Sequence, residues 1–117
     1  MIDKDALILE LLKIKCKDKF GQNRVLFYSG VSYFTLKIEL NKLINKSIDD
    51  FILNIKNGAA KIDFLKLIEI GVNQFNSFNL DTEDREQVCL YYEEIMEVVN
   101  LESSDGILNK WMYGFDF

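Results

Sequence analysis

The chain has no histidine and no proline, and only two cysteines and six glycines in 117 residues. Each shortage excludes something. Without histidine there is no Ser-His or Cys-His nucleophile pair, and both the commonest general acid/base and the commonest transition-metal ligand are missing. Cys16 and Cys89 cannot build a thiolate zinc site within one chain. Both sit among apolar residues and read as buried free thiols; a disulfide between them would need an oxidising compartment. All-β domains need a turn every 8–12 residues, usually marked by Gly or Pro. So little punctuation points to a few long helices.

Long apolar runs are missing too. No stretch approaches the roughly 18 apolar residues of a membrane span. The N-terminal MIDKDALILELLK mixes charges and has Glu10 within its apolar run, so it does not read as a secretion signal. A cytoplasmic protein without membrane association is expected. An overall basic charge is absent as well, since the net charge is −5. Residues 1–61 carry +4 (11 basic, 7 acidic) and residues 62–117 carry −9 (3 basic, 12 acidic). That sign argues against nucleic acid as a partner and favours a basic protein.

What is present is core material. Apolar residues make up 49% and aromatics 13%, too much for a disordered chain. Residues 1–117 are expected to form a single helical domain. The clearest helix is Asp81–Leu101, DTEDREQVCLYYEEIMEVVNL. At 100° per residue, Val88, Cys89, Tyr91, Tyr92, Ile95, Met96, Val98 and Val99 share one half of the cylinder. Glu83, Glu86, Gln87, Glu93, Glu94, Glu97 and Asn100 share the other, so one face is expected inside and the other outside. Asp81 is placed to cap this helix, and Asp84 to return the bond three residues on.

The remaining elements follow from pattern and caps. A first helix covers Ala6 to about Lys19, capped by Asp3 or Asp5 and stopped at Gly21, with Leu7, Ile8, Leu11 and Leu12 inward. Val25–Tyr28 is a short strand or a loop; with no strand partner in view it reads as a loop. Ser32 caps a second helix to Asn57, with Leu36, Leu40, Leu43, Ile44, Phe51 and Ile55 inward. Ser47-x-x-Asp50 resembles a capping box, so a kink or restart is expected near 45–47. A third helix, Ala59–Phe78, carries Gly71 on its apolar side; a close helix crossing explains it better than a ligand niche. A short helix from about Ser104 to Met112 ends at Gly114, and a docked aromatic tail, Phe115-Asp116-Phe117, closes the chain. The fold class is all-α: an irregular bundle of four main helices plus a short C-terminal helix.

DTEDRE at Asp81–Glu86, then Tyr91, Ile95 and Met96, then ESSDGILNKWMYGFD at Glu102–Asp116, resembles a family of small bacterial proteins catalogued as a domain of unknown function. The resemblance is most specific over Asp81–Asp116, about a third of the chain. It implies a small all-helical domain in a bacterium. It brings no activity, cofactor or catalytic residue.

Candidate sites are weighed against simpler readings. Asp81, Glu83, Asp84 and Glu86 lack the spacing of an EF-hand, and acids are favoured in a first helical turn anyway, so no metal or other cofactor is expected. Glu83, Glu86, Glu93, Glu94 and Glu97 form either a solvated face or a docking face for a basic partner. Asp84 and Arg85 turn toward the apolar half. A half-buried Arg needs acceptors, and Asp105, Asp116 or carbonyls around Gly114 are the nearest, which suggests a structural clamp with Asp84 and Trp111. Tyr91, Tyr92, Trp111 and Tyr113 are core residues or pocket walls. No GxSxG, Walker A, GxGxxG or HExxH motif occurs. The expectation is a non-enzymatic acidic interaction module; its sharper form is an immunity-type protein that neutralises a basic bacterial toxin. The alternative is a small ligand-binding protein or enzyme with a pocket near Asp84, Arg85 and Trp111. Oligomeric state leaves no mark in the sequence.

Overall fold

Helix formation starts from the caps. Asp3 accepts a hydrogen bond from the Asp5 N–H at 3.0 Å, and Asp81 accepts one from the Asp84 N–H at 2.8 Å, which satisfies N–H groups that a helix start leaves unpaired. A computed structural model of the protein describes residues 3–23, 28–31, 33–58 and 60–114. In chain order these hold α1 (Lys4–Cys16), α2 (Phe34–Lys56), α3 (Lys61–Asn73), a 3₁₀ turn (Gln74–Ser77), α4 (Thr82–Val98) and α5 (Ile107–Tyr113). Among the described residues there is no strand, so the bundle is all-α. An isolated antiparallel β-bridge joins Asn23 and Tyr28. Residues 25–27, the proposed cap Ser32, and the tail Phe115-Asp116-Phe117 lie outside the described residues.

The long α2 packs on α1, α3 and α4, and α5 closes over α3 and α4. Their inward stripes meet in one core. Leu11, Leu40, Ile44, Ile48, Phe51, Ile68, Val72, Tyr92 and Ile95 are fully buried there. Burying each such side chain stabilises the fold by about 1.5–3 kcal/mol before chain entropy is charged against it. Phe51 stacks on Phe64 with ring centroids 5.3 Å apart, tying α2 to α3.

Several expectations need correction. α1 stops at Cys16 and not near Lys19, because Lys17 turns extended and Phe20 takes a positive φ of 64° that drops its ring into the core. Gly21 is therefore not the terminator. Lys19 finishes the helix instead: its buried ammonium donates to the carbonyls of Lys15 at 2.9 Å and Lys17 at 2.8 Å. Burial pulls its pKa down, and the neighbouring Lys17 adds to that. Leu12 is exposed on the outer side of α1 while Ile14 is buried. Cys16 is exposed, not buried, and Cys89 is half-buried; both are free thiols.

α2 runs on without the restart expected at Ser47. The Ser47 hydroxyl caps nothing; it lies in the core, 2.6 Å from the Tyr92 hydroxyl. α3 tightens at Gln74 into the 3₁₀ turn, which buries Phe75. α5 begins at Ile107, three residues late, because Asp105 and Gly106 both take left-handed backbone (φ 53° and 86°) before it. Ser104 still serves the helix start by accepting the Leu108 N–H at 3.3 Å.

Gly71 sits at a close crossing, as its place on the apolar stripe suggested. A Cβ there would lie 2.5 Å from Ser47 Oγ and closer still to Tyr92 Oη. The missing side chain is the space in which those two hydroxyls meet.

Candidate functional site

α4 positions two groups of residues on its two sides. Its inward stripe holds Asp84, Gln87, Val88, Tyr92, Ile95 and Met96. Gln87, assigned by the helical wheel to the outer half, is buried. It lies one turn before Tyr91 and three residues after Asp84, so the buried stripe is rotated toward that edge.

Asp84 and Tyr28 form a buried pair, with the phenol donating to the carboxylate at 2.6 Å. Burial raises the pKa of Asp84, and the Tyr28 hydrogen bond offsets part of that rise. Burial and then Asp84 push the Tyr28 phenol well above its ordinary value. The pair anchors the loop after α1 to the start of α4. Sequence reasoning missed Tyr28, because nothing local distinguishes it from its aromatic neighbours.

Arg85 leans from α4 onto α5. One guanidinium nitrogen donates to the Trp111 carbonyl, and the group lies 4.1 Å over the centre of the Trp111 ring. Trp111 donates from its indole Nε1 to Asn76 Oδ1 at 2.8 Å and meets Phe75 edge-on. Trp111 is thus held from α4, the 3₁₀ turn and the core together. Arg85 finds a carbonyl three residues before Gly114 as acceptor. Among the described residues it makes no ion pair, with Asp105 or any other. Asp105 is exposed, and Asp116 lies outside the described residues.

Beside this contact lies a cleft of about 590 Å³ between α3, the 3₁₀ turn and α5. Glu69, Asn73, Asn76, Arg85, Asp105, Lys110 and Trp111 supply most of its walls. Asp84 does not line it, so the pocket expected near Asp84, Arg85 and Trp111 reaches only the latter two.

On the outer side of α4, Glu83, Glu86, Glu93 and Glu97 are exposed. None of these four forms an ion pair among the described residues. Glu94 differs. It is half-buried and bound to Lys17 of the α1 terminus at 2.6 Å, so it belongs to the bundle rather than to the free face. Between α4 and α5 runs a groove of about 220 Å³, lined by the apolar Cys89, Leu90, Leu108 and Met112 together with Glu86 and Glu93. Of the aromatics weighed as pocket walls, Tyr92 is core, Tyr91 is half-buried and accepts the Phe20 N–H at 2.9 Å, and Tyr113 is exposed beside this groove.

Burial pushes the Cys89 thiol up to about 12 and raises the phenols of Tyr28, Tyr91 and Tyr92, so all four stay protonated at neutral pH. Among the described residues no group of three or more His, Cys, Asp or Glu side chains could hold a metal ion. Among the described residues no helix is long and apolar enough to cross a membrane.

Comparison with known proteins places this geometry in a family. The family described as a domain of unknown function, DUF4844, matches residues 2–116. A crystal structure of a DUF3571 family protein from Acinetobacter baumannii AYE is similar over 95% of this chain and 91% of that one, with 37% sequence identity and a TM-score of 0.88. No curated protein matches the chain.

Proposed function

The chain belongs to the DUF4844 family of domains of unknown function, and we propose that it is a non-enzymatic docking module that binds a basic protein through the outer side of α4. One observation carries this reading: Glu83, Glu86, Glu93 and Glu97 stand exposed on one helix, without cations set against them among the described residues. On a helix surface, carboxylates find lysine partners three or four positions away; among the described residues the exposed i,i+3 pairs Lys13–Glu10 and Lys42–Glu39 are on α1 and α2. Like charges held on a rigid rod create a field that speeds encounter with a cationic partner and rejects an anionic one. The α4–α5 groove adds apolar surface beside the charge, where Leu90 remains 37% exposed. Charge for steering with a dry patch for residence is the usual division of labour at protein interfaces.

The sharper form is an immunity-type role. A cationic cleft that binds nucleic acid is the complement of such a face, and a small acidic helical protein could cover the cleft of a basic toxin. Affinity capture from the host, repeated with a Glu86→Lys, Glu93→Lys double variant, tests the docking reading. A basic partner retained at about 0.1 M salt, released near 1 M and lost by the variant supports it. A partner held equally by the variant at high salt refutes it.

A further inference from the structure

The cleft beside Arg85 gathers charge of both signs, and its site is separate from the α4 docking face. Arg85 and Lys110 line it together with Glu69 and Asp105. Within the described residues, none of the four makes an ion pair. The neutral polar walls are more committed. Asn73 donates to the Glu69 carbonyl at 2.8 Å, Asn76 donates to Asn73 Oδ1 at 3.2 Å, and Asn76 Oδ1 accepts from Trp111. The amides therefore brace the wall and leave recognition to the charges.

We propose that this cleft binds a small zwitterion that carries a free carboxylate and a free ammonium, an amino acid or the two ends of a short peptide. Arg85 is the anchor. A guanidinium has five donors in a planar fork, and the single donor spent on the Trp111 carbonyl leaves others to meet a carboxylate. Its place over the Trp111 ring and its bond to the Trp111 carbonyl hold the guanidinium in position, so less freedom is lost when a ligand binds. Lys110 adds a second cation to the lining, and the Glu69 and Asp105 carboxylates are the acceptors for the ammonium. A simple anion would be opposed by the two acids and a simple cation by the two bases; a molecule with both charges satisfies both sets. At about 590 Å³ the cleft falls within the size range of small-molecule sites.

The chain has one tryptophan, Trp111, and it is in the cleft wall, so its fluorescence and its indole N–H resonance respond to what enters this site. The full chain is titrated with alanine, glutamate and lysine as free amino acids, with trialanine, and with trialanine acetylated and amidated at its ends. The expected result is a saturable shift of the indole resonance with at least one probe bearing both free charges, and no shift with the capped peptide. A response to free amino acids identifies a metabolite site, and a response to trialanine alone identifies peptide ends. Glu69→Gln and Lys110→Gln, both at exposed positions, should each weaken binding about tenfold while the melting temperature holds. No saturable shift with any zwitterion, an equal response to the capped peptide, or unchanged binding in the Glu69→Gln, Lys110→Gln double variant overturns the proposal. Glu86 and Glu93 lie outside this cleft, so loss of partner capture by their variants and loss of zwitterion binding are separate failures.

Discussion

The guanidinium of Arg85 covers the face of the Trp111 indole at 4.1 Å, and the same arginine donates to the Trp111 backbone carbonyl. One side chain therefore fixes both the ring and the backbone of α5. A helix of seven residues is too short to persist alone, so α5 depends on such tertiary contacts.

Truncating this side chain should therefore be costly. Arg85→Ala is expected to destabilise the protein by about 1–3 kcal/mol, from the lost charged hydrogen bond and the lost ring contact. Trp111 emission should shift to the red and become easier to quench as α5 loosens. Arg85→Lys, which keeps the charge without the planar fork, should fall between. Unchanged melting and unchanged emission in the alanine variant would remove the clamp from the account of the fold.

Gly71 offers a test in which propensity and packing oppose each other. Alanine gains about 1 kcal/mol of helix propensity over glycine. Here its methyl would press on the hydroxyls of Ser47 and Tyr92, so overpacking should win and Gly71→Ala should lose a net of roughly 1–3 kcal/mol. Removing the Tyr92 hydroxyl makes room, so Gly71→Ala should cost less in a Tyr92→Phe background. A double-mutant cycle in chemical denaturation measures this coupling, and additive losses would show that the crossing does not set the cost.

The buried Tyr28 and Tyr92 and the half-buried Tyr91 and Cys89 make alkaline pH the weak side of the fold. Burial raises Cys89 from 9.0 to about 12 and lifts Tyr28, Tyr91 and Tyr92 above 10.0. Each keeps its proton longer folded than unfolded. Its share of stability is whole below the unfolded value and drains away as pH climbs past it. Lys19 works the other way, since its folded value lies below 10.5 and it contributes a gain as pH rises toward that value. Four groups oppose one, so the melting temperature should fall between about pH 9 and 11. Tyr28→Phe should melt lower at neutral pH, because Asp84 loses its donor, yet show a shallower alkaline fall. A melting temperature that is flat or rising over this range would contradict the balance.

The carboxylates on α4 should separate by exposure. Glu86→Gln and Glu93→Gln are expected to change stability by less than about 0.5 kcal/mol, as surface substitutions do. Glu94→Gln breaks the ion pair with Lys17, and because both side chains are partly solvated its cost should stay below about 1 kcal/mol. Urea midpoints measured in parallel would show whether Glu94 alone carries a measurable share.

The sequence by itself determined the all-helical class, a first cap at Asp3 or Asp5 and the cap at Asp81, the carboxylate-rich outer side of α4, the stop at Gly114 and the close crossing at Gly71. All of these are written in local pattern, because helical periodicity relates residues only three and four positions apart. The turn toward the apolar half at Arg85 could be read from that same geometry, but not the Trp111 carbonyl that receives it. Tertiary structure alone decided which distant groups meet. Tyr28 reaches Asp84 across 56 positions and Lys17 reaches Glu94 across 77, and no local signal encodes either distance. The same holds for Lys19, whose burial follows from Phe20 turning inward, and for Ser47, which looked like a helix start and became half of a core hydrogen bond. A side chain's periodicity fixes the direction in which it points, whereas its partner is fixed by the helix that packs across from it.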